Sequence, residues 1–251
     1  MRNASGAAIV LDIQTNKVLA TYHADQTQAT PGSTLKPFFL LAALNSNQAP
    51  KQVYCRRNLR IAARPMHCVH PAITHPLNAR EALAYSCNTY FAELAAHLYA
   101  QRGPNGLAEI LRQRGFEQVH TPQSLPEAQF LALGVEGVTT SPLALAEAYR
   151  GLALDLTRPQ ATAADHLVAA ALEDSIHYGT ANTAAVSRLR IAGKTGTASA
   201  TEGGPTHGWF AGFAPADHPR IVVVVFLNHG RGSDAAARAG KIFAAQLGKA
   251  A

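Results

Sequence analysis

The 251-residue chain is short of charge, aromatic rings and sulfur. Charged residues make up 15% and aromatics 7%, and there are three cysteines, two methionines and one tryptophan. So little charge beside 47% hydrophobic residues excludes a disordered tail, a coiled coil and a collagen-like fibre. Long hydrophobic runs are also missing: the longest, Phe38–Leu44 and Ile221–Leu227, are far too short to cross a bilayer. No leader pattern is visible, because Met1-Arg2-Asn3 runs straight into Gly6–Leu11 without a small-residue cleavage site. This fits a cytosolic protein or an exported one trimmed of its targeting segment. The net charge of +6 allows acidic partners. Yet the basic residues are scattered, apart from Arg56–Arg57, and do not interleave with aromatics, so the footprint of a nucleic-acid binder is absent.

What is present is β-rich at both ends and helix-rich between. Ala8–Asp12 and Val18–Tyr22 flank a polar turn and predict a hairpin. Ser33–Leu44 predicts a buried helix with Ser33 near its start. Residues 46–78, rich in Pro, Arg and His, predict a long loop holding one short hairpin. Further helices are predicted over Ala79–Tyr85, Thr89–Gln101, Gly106–Gln113, Leu143–Leu154 and Ala161–Tyr178, broken by Gly103-Pro104, Gly115, Pro122, Pro126, Pro142 and Pro159. Leu189–Thr195, Trp209–Phe213 and Ile221–Leu227 predict strands, the last covered on both faces because it is apolar throughout. A helix closes the chain over Asp234–Leu247. The pattern implies an α/β fold of the α+β type: one antiparallel sheet built from both chain ends, flanked by helices, with a helical lobe inserted. The expected division is a single domain over 1–251, with 1–45 and 181–251 forming the sheet lobe and 46–180 the loop and helical lobe.

Three short motifs follow one another: Ser33-Thr34-Leu35-Lys36, Ser86-Cys87-Asn88 and Lys194-Thr195-Gly196-Thr197. Ser33 sits at a helix start, where backbone N–H groups favour a developing anion. Lys36 lies one turn on, on the same face, and its amine can take the Ser33 proton if burial or a second cation disfavours its charge. Lys36 is therefore expected to be neutral, with burial and Lys194 as the causes. Ser86 and Asn88 fall in a short loop between helices, and Lys194–Thr197 continues a strand in which Gly196 admits close backbone approach. Each motif also has a plain structural reading: an N-cap, a capping loop and a strand end with a glycine bulge.

Together these motifs resemble the serine transpeptidase domain of penicillin-binding proteins. Pro31–Phe38 is similar to the family's nucleophile segment, Lys194–Ala198 to its third motif, and Trp209–Pro215 to the strand that follows. Leu11–Ala20 is similar to the opening hairpin, and Gly137–Ala146 to the start of a late helix in the helical lobe. The resemblance implies a D,D-transpeptidase or D,D-carboxypeptidase acting on D-Ala-D-Ala stem peptides of peptidoglycan, with β-lactams as covalent inhibitors and no cofactor. It implies Ser33 as nucleophile, Lys36 as base, Ser86 and Lys194 as proton relay, and Asn88 as the group that holds Lys36 and the substrate amide. Thr195, Gly196 and Thr197 would receive the substrate carboxylate, with the N–H groups of Ser33 and Thr197 as oxyanion hole. A periplasmic or otherwise extracytoplasmic location is implied, and the N-terminal pedestal or membrane anchor of large family members is not in this chain. The rivals are a class D-like serine β-lactamase, with Lys36 carbamylated in a pocket of Leu35, Phe38 and Trp209, and a sensor that is acylated once.

The cysteines leave three readings open: a disulfide, free thiols or a metal. Cys55 and Cys68 lie 13 apart in the irregular segment, and a disulfide between them is the preferred reading, implying an oxidising compartment. Cys55, His67, Cys68, His70 and His75 fit no common zinc spacing, since those templates pair ligands two to four residues apart, so no metal is expected. Cys87 reads as a small buried filler, and His207, just before Trp209, as a candidate groove residue.

Overall fold

The computed structural model describes residues 5–25, 27–199 and 204–248. Strands β1 (Gly6–Asp12) and β2 (Val18–Tyr22) form the opening hairpin. A single 3-10 turn, Gly32–Leu35, leads into α1 (Lys36–Asn45). The irregular segment carries a small hairpin, β3 (Asn58–Ile61) and β4 (Arg64–His67). The helical lobe holds α2 (Ala79–Ala84), α3 (Asn88–Arg112), β5 (Gln118–Val119), α4 (Leu125–Leu133), β6 (Val138–Thr139), α5 (Pro142–Thr157) and α6 (Ala163–His177). The chain then returns as β7 (Ala192–Ser199), β8 (Thr206–Ala214), β9 (Ile221–Leu227) and α7 (Gly232–Leu247).

The five long strands form one antiparallel sheet in the order β2-β1-β9-β8-β7, as the β-rich chain ends predict. β9 is central and alternates between two cores. Val222, Val224 and Phe226 join the core under the helical lobe, while Val223, Val225 and Leu227 pack with Phe210 and Phe243 beneath α7. A strand covered on both faces has no polar side to show, which is why its sequence is continuously apolar. Burying each valine contributes about 1.5–3 kcal/mol.

Two departures from the sequence reading have local causes. α4 was not expected, because Pro126 reads as a breaker. It lies in the first turn instead, where its missing N–H has no partner to lose, and the Ser124 side chain caps the turn by accepting from Glu127 N. The helices predicted over Thr89–Gln101 and Gly106–Gln113 are two arms of α3, joined at a kink where Gly103 has φ of +66° ahead of Pro104.

α1 is buried on every side, with Phe38, Phe39, Leu40, Leu41 and Ala43 in the core. Phe38 meets Phe116 and Tyr149 edge-to-face at 5.7 and 5.6 Å. That packing fixes the turn ahead of α1, from which the site is built.

Candidate active site

The 3-10 turn places Ser33 and Lys36 on one face, since residues three apart eclipse in that geometry. The turn is held by bonds from four directions. Trp209 Nε1 donates to Thr30 O (3.0 Å), Gly32 N to Gly134 O (2.8 Å), Thr34 Oγ1 to Pro31 O (2.9 Å), and Tyr149 Oη to Thr34 O (2.8 Å). Gly32 has φ of +58°, and a Cβ there would lie 2.9 Å from Thr197 N. The backbone around Ser33 thus lies directly against β7. Ser33 is half-buried, whereas Lys36 is fully buried.

Lys36 Nζ reaches the second motif. It donates to Ser86 O (2.8 Å) and Asn88 Oδ1 (2.7 Å) and lies 3.2 Å from Ser86 Oγ. It also sits 5.1 Å from the centre of the Phe91 ring. Ser86 O and Asn88 Oδ1 can only accept, so they use two of the amine's hydrogens. The third valence is free either to donate to a hydroxyl or, as a lone pair, to accept from one. Asn88 is oriented from its other end, where Nδ2 donates to His67 O (3.0 Å). Ser86 has φ of +58°, an uncommon conformation for a residue with a side chain, and it turns α2 sharply into α3.

The third motif lies on β7. Lys194 is fully buried and donates to Thr195 O (3.1 Å) and Thr180 Oγ1 (3.4 Å). Thr195 Oγ1 and Thr180 Oγ1 are 2.7 Å apart. Thr197 Oγ1 accepts from Gly232 N at the start of α7 (3.0 Å). A Cβ on Gly196 would fall 2.3 Å from Pro31 O, so glycine is what lets β7 approach the nucleophile turn. All three motifs are brought together, with an open cleft of about 600 Å³ beside them, lined by Tyr85, Tyr178, Thr180, Thr195, Thr197 and Ser233 among others.

Burial pushes the Lys36 amine down to about 8, against an opposing pull from negative charge on Cys68, Cys87 and Cys55. Lys194 is driven well below the lysine range by burial and then by the charge of Lys36. This revises the expected electrostatics. Of the two buried amines, Lys194 gives up its charge more readily, and Lys36 keeps most of its own at neutral pH.

The expected Cys55–Cys68 disulfide is not formed. The two Sγ atoms are 3.5 Å apart, far beyond the roughly 2.05 Å of an S–S bond, and all three cysteines are free. The physical reason is a larger cluster. Cys55 Sγ is also 3.2 Å from His70 Nε2, and Cys87 Sγ comes within reach of both other thiols. The Cys87 thiol hydrogen-bonds Cys68, drawing the Cys68 thiol strongly down and raising that of Cys87. His67 and His75 turn elsewhere, toward Asn58 and Glu81. His207 packs its ring on Phe226 at 5.5 Å, with Nδ1 on Asn228 O. Thr180, Tyr85 and Tyr178 escaped the sequence reading, since they stand at element ends where no period or motif marks them.

Residues 6–248 match the family model described as the penicillin binding protein transpeptidase domain. Peptidoglycan D,D-transpeptidase PbpA of Mycobacterium tuberculosis is 28% identical over 217 residues, covering 69% of this chain and 43% of that protein. Its namesake in Mycolicibacterium smegmatis is 27% identical over 268 residues, covering 88% of this chain and 53% of that one. The chain therefore spans about half the length of the curated relatives it matches. The apo transpeptidase domain of Burkholderia pseudomallei penicillin-binding protein 3 has the same fold, with a TM-score of 0.81 at 23% identity over 98% of this chain and 88% of that one. With a match running from β1 to just past the closing helix, and the three motifs packed together beside one cleft, the chain belongs to the penicillin-binding protein transpeptidase family.

Proposed function

We propose that the protein is a peptidoglycan D,D-transpeptidase working through a Ser33 acyl-enzyme, as the names of its mycobacterial relatives suggest. The observation that carries this reading is the position of Lys36 Nζ, hydrogen-bonded to both Ser86 and Asn88 one turn from Ser33. Ser33 Oγ attacks the penultimate D-alanine carbonyl of a stem peptide while its proton passes to the neutral form of Lys36. The amide nitrogen leaves as D-alanine, taking a proton through Ser86, with Lys194 behind it. Thr195 and Thr197 hold the terminal carboxylate, and Asn88 keeps Lys36 aimed. The N–H groups of Ser33 and Thr197 receive the oxyanion, each such donor being worth about 10²–10³ in rate. An amine from a second stem peptide then takes the acyl group, releasing Ser33.

In this reading 1–45 and 181–251 act as the sheet lobe and 46–180 as the helical lobe, working outside the cytoplasm as part of a longer cell-wall protein. β-Lactams acylate the same serine. The class D alternative loses ground at Lys36: a carbamate there would set its anionic oxygens against Ser86 O and Asn88 Oδ1, which are acceptors. Trp209, expected to line that pocket, is committed to Thr30 O.

Intact-protein mass spectrometry after penicillin tests the reading. One adduct per chain, mapped to Ser33, absent in Ser33→Ala and persisting for hours, is expected. No adduct, an adduct on Cys87, or rapid turnover accelerated by bicarbonate would refute it.

A further inference from the structure

We propose that Cys55, Cys68, His70 and Cys87 form a tetrahedral zinc site that fastens the β3–β4 hairpin to the first turn of α3. The four ligand atoms all lie within 4.8 Å of one another. Zinc with Zn–S near 2.3 Å and Zn–N near 2.0–2.1 Å sets neighbouring sulfurs about 3.8 Å apart and sulfur and nitrogen about 3.5 Å apart. The distances here are 3.5 Å for Cys55 to Cys68 and 3.2 Å for Cys55 to His70 Nε2. The cluster thus has the size of a shell around one ion, too wide for an S–S bond and too narrow for a polynuclear cluster.

The surroundings are those of a metal's outer shell. His70 Nδ1 lies 2.7 Å from Pro71 O, which can only accept. Nδ1 therefore carries the proton, and in the neutral ring Nε2 presents its lone pair to the thiols. Asn88 N donates to Cys68 Sγ (3.1 Å), a bond that suits a thiolate. Cys68, His70 and Cys87 are buried and Cys55 is half-buried, so the ligand atoms lie beneath the surface, with His70 at the edge of the cleft. Three thiolates and one imidazole in a closed shell are the ligand set of structural zinc. Binding displaces the thiol protons to solvent as three S–Zn bonds form.

The sequence hid this site because its ligands are spread over three segments. Cys55 precedes the hairpin, Cys68 and His70 follow it, and Cys87 is the N-cap of α3, between Ser86 and Asn88. Only the fold closes the four into one shell. The residues from 46 to 78 contribute few members to the main core, so a cross-link there has stability to add. The proposal stands on this cluster alone and is independent of the acyltransferase reading.

Elemental analysis of the whole chain, expressed with zinc and purified without chelator under reducing conditions, tests it. One zinc per chain is expected. Cobalt in its place should give tetrahedral visible absorption with thiolate-to-cobalt charge transfer. Cys55→Ser with His70→Ala should weaken zinc by at least about tenfold, given that even outer-shell changes cost 10–100-fold. His67→Ala and His75→Ala should leave the zinc content at one. Chelation should lower the melting temperature of the wild type and expose three reactive thiols. Metal-free protein that takes up no zinc on titration, a Cys55–Cys68 disulfide in the isolated protein, or zinc content unchanged in the double variant would overturn the proposal. Should the double variant fail to fold, the cobalt spectrum of the wild type decides: three-thiolate charge transfer supports the site, and its absence refutes it.

Discussion

The rate of acylation should follow the charge state of Lys36, and the structure sets where. The amine must be neutral to accept the Ser33 proton, and burial brings it from the usual 10.5 to about 8. Below that point the neutral fraction falls tenfold per pH unit, so about a hundredth of the enzyme is competent near pH 6, about a tenth near pH 7 and half near pH 8. The second-order rate with penicillin should therefore climb about fiftyfold from roughly pH 6 to pH 8, then gain at most about twofold more. Stopped-flow acylation with a fluorescent penicillin reads this directly, and Lys36→Ala should lose the pH dependence along with about 10²–10⁴ of the rate. Linkage runs in the same direction. The folded chain binds the Lys36 proton less tightly than the unfolded chain does, so burial of the charge costs stability most fully below about pH 8 and ceases to cost it above about pH 10.5. A profile flat across pH 6–9, or falling with pH, would refute Lys36 as the base.

Two substitutions probe the frame around it. Asn88→Ala removes the acceptor at 2.7 Å from Lys36 Nζ and the donor to His67 O; hydrogen bonds to charged groups contribute about 1.5–3 kcal/mol, so urea unfolding should show a loss of about that size, and acylation, which needs Lys36 held in place, should fall with it. Gly196→Ala puts a methyl 2.3 Å from the backbone oxygen of Pro31 and 3.0 Å from Thr34 Cγ2; urea unfolding should show a loss of about 1–3 kcal/mol, with acylation abolished, and a wild-type-like variant would mean that β7 does not press on the nucleophile turn.

The sheet was legible because its signals are local. The apolar run Ile221–Leu227 and the hairpin pattern of Ala8–Tyr22 each declare a strand unaided. The motifs were legible as motifs, with Ser33, Lys36 and Asn88 at the starts of helical segments and Lys194 within a strand the pattern already marks. What was not legible depends on contacts between distant segments. No spacing rule joins Cys55 to Cys87, or Thr180 to Thr195. Pro126 misled because proline has opposite meanings in the first turn and in the interior of a helix. The balance of charge between Lys36 and Lys194 turns on burial, which composition does not reveal.

The position of β9 constrains how the chain can be made. β1 is made long before β9, yet β9 is one of its two partners, with Gly6 opposite Leu227. Until β9 has been synthesised, the hairpin of β1 and β2 has an open edge, and β8 lacks its neighbour on the other side. Pairings so distant in sequence close slowly and leave apolar strands exposed meanwhile. The helical lobe, whose contacts are nearer in sequence, can form while the sheet waits. A nascent chain stalled before Ile221 should thus hold a folded lobe beside an incomplete sheet, making the stretch from Ile221 to Leu227 the step that commits the molecule to its final form.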